Sequence, residues 1–475
     1  MLNVRSGWLH LLTGAATGRV LSLISNILLS RWLGPTGLGS FNLSTTTVQT
    51  ADTLVRGGSD YAINFKLGSE ASVIHTASGR LYANSFSIFV SSATLLCVAF
   101  LATYLFSSGT FFAQHLIPGN IFVLTILLIL MVFFECISAS GWELLLVTRQ
   151  TKQVALRQGL FTPAKLFLAA IGALLFQVPG SMACWTIVSL IQLIWLKTVL
   201  RSLWSPFSPQ KASVAAVASL LKLGSTFYLS NVVSSLLFFP MLLSIAAQNG
   251  LQDLGFLRTG QILQQLFALL PGTLVPVLFL KLRQLSSHDL RIKSTEQALR
   301  LIWSVMLLLF ILYCLFDAQI IRSLFGSDYL ESLFPTRILL LTSLCECLLQ
   351  LVSQPTLASG HTRKYAIWQL GSSLLVALAA LLLSGSITLD YYLTLRLIYV
   401  LLPLCGLGSS FLFNRSLYAH ILLLIVNTTV VGFYFCRYEP YSTLNVTLML
   451  SILSLISISI SQAGAIRNQL RLLRF

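Results

Sequence analysis

The sequence predicts an all-α polytopic membrane protein of about fourteen transmembrane helices, and three observations lead there. The chain is 56% hydrophobic and only 9% charged, where soluble proteins carry roughly 25% charged residues. Apolar runs near 20 residues, long enough for a ~30 Å hydrocarbon core, recur along its whole length. Basic residues gather in short clusters between those runs rather than forming one patch. The net charge of +16 is therefore read as topology signals and contact with anionic lipid heads, not as a nucleic-acid surface.

Apolar runs and breakers place the helices near 8–32, 37–60, 81–106, 120–148, 154–177, 181–204, 214–246, 252–281, 298–324, 334–359, 365–384, 389–412, 417–436 and 443–463. The longest connections, 61–80, 205–213 and 282–297, are too short for a soluble domain. With the amino terminus inside, 21 of the 30 basic residues fall on the inner side, and only Arg31, Arg322, Arg337 and Arg437 on the outer. That asymmetry predicts a multi-pass protein with both termini cytoplasmic. The first apolar run is too long for a cleavable signal, and no small-residue cleavage site precedes another domain. The eight cysteines sit mainly inside apolar runs without CxxC or Cys/His spacing, as buried free thiols do.

The first two helices are joined by Arg31-Trp32-Leu33-Gly34-Pro35-Thr36-Gly37-Leu38-Gly39, whose proline and glycines suit a chain reversal. This hairpin returns in the second half. A shift of 216 lays Gly34, Leu38 and Gly39 on Gly250, Leu254 and Gly255. A shift of 211 lays Thr151–Leu156 on Thr362–Ile367 and Glu135-Cys136 on Glu346-Cys347. Two similar shifts in the same order predict two parallel six-helix lobes, 1–208 and 209–413, with 414–475 forming two further helices and a cytoplasmic tail.

Polar residues in these helices form stripes. Arg19, Ser22, Asn26 and Ser30 share one face of the first helix; Asn42, Thr45, Gln49, Asp52 and Arg56 share one face of the second. The seventh offers Tyr228, Asn231 and Ser235, and the eighth Arg258, Gln261 and Gln265. Such stripes avoid lipid, because an unpaired polar group there costs several kcal/mol. They face either packed helices or a watery central cleft. A central charge costs ~2.5–3.5 kcal/mol even on lenient insertion scales, so Arg19, Arg56 and Arg258 need water or a partner. Arg56 has Asp52 one turn away as a neutraliser; Arg19 and Arg258 have no acid at helical spacing, which fits an anionic phosphate or diphosphate ligand. Glu135 and Glu346 are either protonatable, ion-coupling carboxylates or partners of an intramembrane base such as Lys165.

No HExxH, Walker, GxSxG or DxD pattern occurs, so neither ATP hydrolysis nor metal catalysis is indicated, and no cofactor is expected. A chain of this kind would draw on an ion gradient, the membrane potential or the substrate gradient.

The stretch Ser30–Phe41, with the polar helix before it and Leu54-Val55-Arg56-Gly57-Gly58-Ser59-Asp60-Tyr61-Ala62 after it, resembles the "aRxLGpexyG" signature of Wzx-type polysaccharide exporters. Asp253-Leu254-Gly255-Phe256-Leu257, Leu278-Phe279 after Pro276, and Leu324-Phe325-Gly326-Ser327-Asp328-Tyr329 follow in that family's order. The resemblance runs from about residue 7 to 463. It implies the multidrug/oligosaccharidyl-lipid/polysaccharide exporter fold, with a cavity lined by helices 1, 2, 7 and 8 and working by alternating access. It further implies a non-enzymatic flippase of a bacterial cytoplasmic (inner) membrane that moves polyprenyl-diphosphate-linked oligosaccharide for surface polysaccharide. Arg19, Arg56 and Arg258 fit the role of diphosphate ligands, beside membrane lipids and other polysaccharide-assembly proteins as partners. Pro240-Met241-Leu242 lacks the acidic residue often found where that family's seventh helix ends. The competing readings are a cation-coupled drug antiporter of the same superfamily, which calls for an anionic cleft, and a membrane-embedded glycan polymerase or ligase, which usually needs a sizeable outer loop.

Overall fold

A computed structural model describes residues 2–409, apart from 57, 68–75, 108–120, 149, 207–211, 359–361, 383–387 and scattered positions between 270 and 286. The last two predicted helices, 417–436 and 443–463, lie outside the described residues. Among those described there is no strand. Among the described residues six helices are long and apolar enough to cross a membrane, and further apolar helices accompany them. The chain is a multi-pass membrane protein.

The first unit covers Met1–Arg258 with the short segment Gly385–Thr388. It opens with α1 (Leu2–Arg56), which contains the first two predicted helices in one element. They part at Gly34, whose φ of 66° and ψ of 176° break the helical path; Pro35 then restarts it with its fixed φ and missing N–H. A short α2 (Ser59–Leu67) follows, so the expected connection 61–80 is helical in its first part. Next come α3 (Ala77–Ser107), α4 (Ile121–Val147) and α5 (Thr151–Leu156).

After α5 the chain forms a single π turn, Arg157–Phe161, before α6 (Thr162–Leu200). Pro163 explains the wide turn. It has no N–H for the Gly159 carbonyl, and its ring crowds that carbonyl, so the Thr162 N–H bonds Arg157 five residues back. Within α6 the backbone breaks at Phe176 and Gln177, close to the boundary read from the sequence between 177 and 181. α1 packs on α6, α4 and α5, and α4 also packs on α3.

The unit is completed by α7 (Val214–Gln248) and the start of α8 (Leu251–Phe267). Ser213 caps α7 through its Oγ, which accepts the Ala216 N–H at 3.4 Å. α7 packs on α1, α2 and α3.

The second unit covers Thr259–Ser384 and Leu389–Phe475. Its described part holds the rest of α8, then α9 (His288–Leu324), a 3-10 turn (Ser327–Ser332), α10 (Leu333–Ala358), α11 (Thr362–Leu382) and α12 (Leu389–Ser409). α9 begins ten residues before the predicted 298. The stretch 282–297 had been expected as a connection, but Ile292, Thr295, Leu299 and Ile302 fall at helical spacing and all four are buried. α10 packs on α9 and α12, and α11 on α12. Asp317 of α9 and Arg337 of α10 form a buried ion pair at 2.5 Å, and Asp317 also accepts the Ala318 N–H at 2.6 Å.

Candidate functional site

The first unit holds a partly open cavity of about 300 Å³ between the second limb of α1, α4, the π turn and α6. Its wall brings together Thr45, Gln49, Asp52, Arg56 and Glu135, five of the residues named from the sequence. Each is placed by helical spacing. Thr45, Gln49, Asp52 and Arg56 descend one face of α1. On α4, Glu135, Ala139, Trp142 and Glu143 stand at i, i+4, i+7 and i+8, which is again one face.

Arg56 is the hub of the charged wall. Its guanidinium holds Asp52 one turn back, Asp60 at 3.5 Å and Glu143 at 3.3 Å. One cation thus answers three carboxylates, and the pairing with Asp52 foreseen as an alternative is realised. Glu135 is held just as firmly. Its Oε1 accepts from Lys165 Nζ at 2.5 Å, Ser189 Oγ at 2.5 Å and Trp185 Nε1 at 2.9 Å. Lys165 itself is only 5% exposed, so the pair shields two charges from the apolar core. The Trp185 ring meets Phe41 edge-on at 5.8 Å, which fixes the indole that donates to Glu135.

In the charge count of the sequence Arg157 is one of the 21 basic residues of the inner side. The structure places it in the cavity wall instead, with its guanidinium 3.8 Å from the centre of the Trp142 ring. The π turn re-aims it, and the aromatic face takes up charge that no described carboxylate pairs directly. The signal available in sequence was Trp142 one residue before Glu143 on the same stripe; nothing local marked Arg157 as its partner.

The remaining predicted residues lie elsewhere. Asn26 is fully buried in α1, where its Nδ2 donates to the Ser22 carbonyl at 2.9 Å. Arg19 is half-buried, with Nη1 lacking a hydrogen-bond partner, and Arg258 is buried with Nε in the same condition. Among the described residues, neither has a carboxylate within ion-pair distance. Gln261 is half-buried and Gln265 exposed. Their neighbour Gln264, not singled out in sequence, makes the contact that matters in the second unit: its Nε2 donates to Glu346 Oε2 at 3.2 Å. Glu346 also has Arg396 at 3.9 Å. Among the described residues no cluster of three or more His, Cys, Asp or Glu is arranged to hold a metal ion.

The fold has solved counterparts. A structure of the lipid II flippase MurJ, in an inward closed conformation, matches with a TM-score of 0.68 at 13% identity over 96% of this chain and 99% of its own. An inward-facing multidrug resistance MATE family transporter of the MOP superfamily matches at 0.60 and 14% identity over 84% and 95%. A MOP superfamily transporter from Pyrococcus furiosus, described as having a reversed polarity of its binding pocket, matches at 0.60 and 14% over 87% and 96%. No protein-family model and no curated protein matches the sequence. The chain has the fold of the MOP superfamily transporters, polytopic and helical.

Proposed function

We propose that the protein is an alternating-access flippase that moves polyprenyl-diphosphate-linked oligosaccharide across a bacterial cytoplasmic membrane for surface polysaccharide assembly. One observation carries this reading. Arg56, Lys165, Arg337 and Arg396 all have a carboxylate within 4 Å, and Arg157, which has none, lies against the Trp142 ring; among the described residues Arg19 and Arg258 have neither an acid nor a ring. Two intramembrane guanidiniums so placed are suited to an anion that arrives and leaves, and a guanidinium matches a phosphate oxygen pair in geometry as well as charge. Arg56, by contrast, is already neutralised and serves the wall of the cavity. The reading also draws support from the fold shared with the lipid II flippase and from the Ser30–Phe41 signature.

In this mechanism the diphosphate rests on Arg19 and Arg258, the lipid tail stays in the bilayer, and the glycan crosses inside the protein. Substrate drives the cycle only through a difference in affinity between the two end states. Both termini lie in the cytoplasm, and the chain performs no covalent chemistry. Glu346 is better placed than Glu135 to take and release a coupling proton, because its partners are farther away and its side chain is 33% exposed.

A specific observation also favours the cation-coupled drug antiporter. The cavity wall carries three carboxylates, Asp52, Glu135 and Glu143, and a cation able to displace Arg56 or Lys165 from them would have ligands there. The test separates the two readings. Arg19→Ala and Arg258→Ala, at matched membrane levels, should each lower surface polysaccharide export and vesicle flipping of a fluorescent polyprenyl-diphosphate glycan by at least about tenfold, the loss of roughly one charge-assisted contact. Wild-type export in both variants would sink the flippase reading. A purified protein that elongates or transfers the glycan would show that it is an enzyme instead.

A further inference from the structure

The charges in the cavity wall of the first unit are already answered inside the protein. Arg56 holds Asp52, Asp60 and Glu143, and Lys165 holds Glu135. Arg157 rests on the Trp142 ring, 3.8 Å from its centre. A cation entering this wall has to displace Arg56 or Lys165 from a carboxylate. An anion drawn to Arg157 arrives among Asp52, Glu135 and Glu143, three carboxylates that repel it. A ligand without net charge meets neither obstacle.

What the wall still offers is hydrogen bonding of both kinds. Asp52 Oδ1 makes no hydrogen bond within the protein, and neither do Arg56 Nε and Arg157 Nε. Buried polar atoms in that condition are costly, so one acceptor and two donors here favour a group that completes them. Gln49 adds an exposed side-chain amide, which carries donors and an acceptor together. A hydroxyl both donates and accepts without bearing charge, so a ring of hydroxyls suits all of these atoms. The same wall carries two indoles, Trp142 and Trp185. An indole face takes the C–H face of a sugar, whose electropositive hydrogens meet the negative π cloud. Hydroxyl edges and an apolar face come together in a pyranose.

The volume limits the length of the ligand. About 300 Å³ is at the small end of ligand pockets, room for a single sugar ring rather than a chain. Arg19 and Arg258 do not line this cavity, so sugar and phosphate would be met by different residues.

We propose that this cavity is a saccharide subsite that takes one neutral pyranose and rejects the corresponding uronic acid and amino sugar. It rests on the flippase reading for one point, that the sugar belongs to the carried glycan. Gln49, Asp52 and Trp142 then help to decide which glycan is accepted.

The test is ligand-observed NMR on the full chain in lipid nanodiscs, which reads weak binding directly and needs no transport. The probes are the methyl glycosides of glucose, galactose and mannose. Each is compared with its uronic acid and with its 2-amino form, at a pH where the amine is charged. At least one neutral glycoside should bind about tenfold more tightly than both of its charged counterparts. Trp142→Ala should abolish that binding. Gln49→Leu should weaken it about fivefold, the worth of one neutral hydrogen bond, and leave thermal stability unchanged because Gln49 is exposed. The Gln49 variant decides the matter if Trp142→Ala does not fold. Failure of all three neutral glycosides to bind, tighter binding of a charged form, or wild-type affinity in Gln49→Leu would overturn the inference. Export lost in Arg19→Ala and Arg258→Ala with no glycoside bound would strike the subsite and keep the flippase. A bound neutral glycoside with export intact in both arginine variants would do the opposite.

Discussion

Glu135 and Glu346 fall on one another when the sequence is shifted by 211 residues, yet the structure treats them differently. Glu135 receives three donors on a single oxygen, the nearest at 2.5 Å, and its side chain is 17% exposed. Glu346 has a glutamine at 3.2 Å, an arginine at 3.9 Å, and about twice the exposure. The difference teaches that a matching sequence position fixes a residue but not its role. The role comes from the partners, and these sit on α6 for Glu135 but on α8 and α12 for Glu346. A carboxylate enclosed by Lys165, Ser189 and Trp185 braces α4 against both limbs of α6. One that is loosely met on an open side can change its protonation or its partner.

This contrast can be broken most directly at Lys165. Lys165→Met leaves Glu135 charged and unpaired in an apolar interior, which should cost about 3–5 kcal/mol. A clear fall in thermal stability of the purified protein would show it, and adding Glu135→Gln should recover most of the loss. If Lys165→Met is as stable as wild type, Glu135 is no brace. A smaller effect is expected from Trp185→Phe, which keeps the ring against Phe41 but removes one donor to Glu135. A hydrogen bond to a charged acceptor is worth about 1.5–3 kcal/mol, and a loss in that range by denaturant titration would fit. The smallest effect on stability belongs to Glu346→Gln, under about 1 kcal/mol for a partly exposed and distant pair. The same variant should abolish any dependence of transport on a proton gradient; unchanged coupling with a large stability loss would reverse the assignment of the two glutamates.

Much of this arrangement was legible before the structure. Gly34-Pro35 marked the reversal inside α1, and the break in α6 fell close to the expected boundary, because both depend on local backbone chemistry. The stripe Gln49, Asp52, Arg56 was legible for the same reason, since helical spacing fixes which residues share a face. What crosses between helices was not. The sequence offered Lys165 as one partner for Glu135 among other readings, but contained no distance to choose between them. Arg157 escaped because a π turn shifts the register by one residue, and periodicity arguments assume that the register holds. The early start of α9 escaped because its first ten residues carry polar and basic side chains around a narrow buried stripe.

The buried pair between Asp317 and Arg337 bears on how the protein is made. The two residues lie twenty positions apart on consecutive helices, α9 and α10, so each helix would enter the bilayer with an exposed charge if it entered alone. Both stand near the turn that joins their helices, where a charge costs less than the ~2.5–3.5 kcal/mol it costs at the centre of a span but still gains from a partner. Entering as a hairpin, with only the turn at Ser327–Ser332 between them, lets each charge find its opposite before either meets lipid. The translocation machinery would then release these two segments together rather than one after the other, and the pair that stabilises the finished fold would also set the order of its assembly.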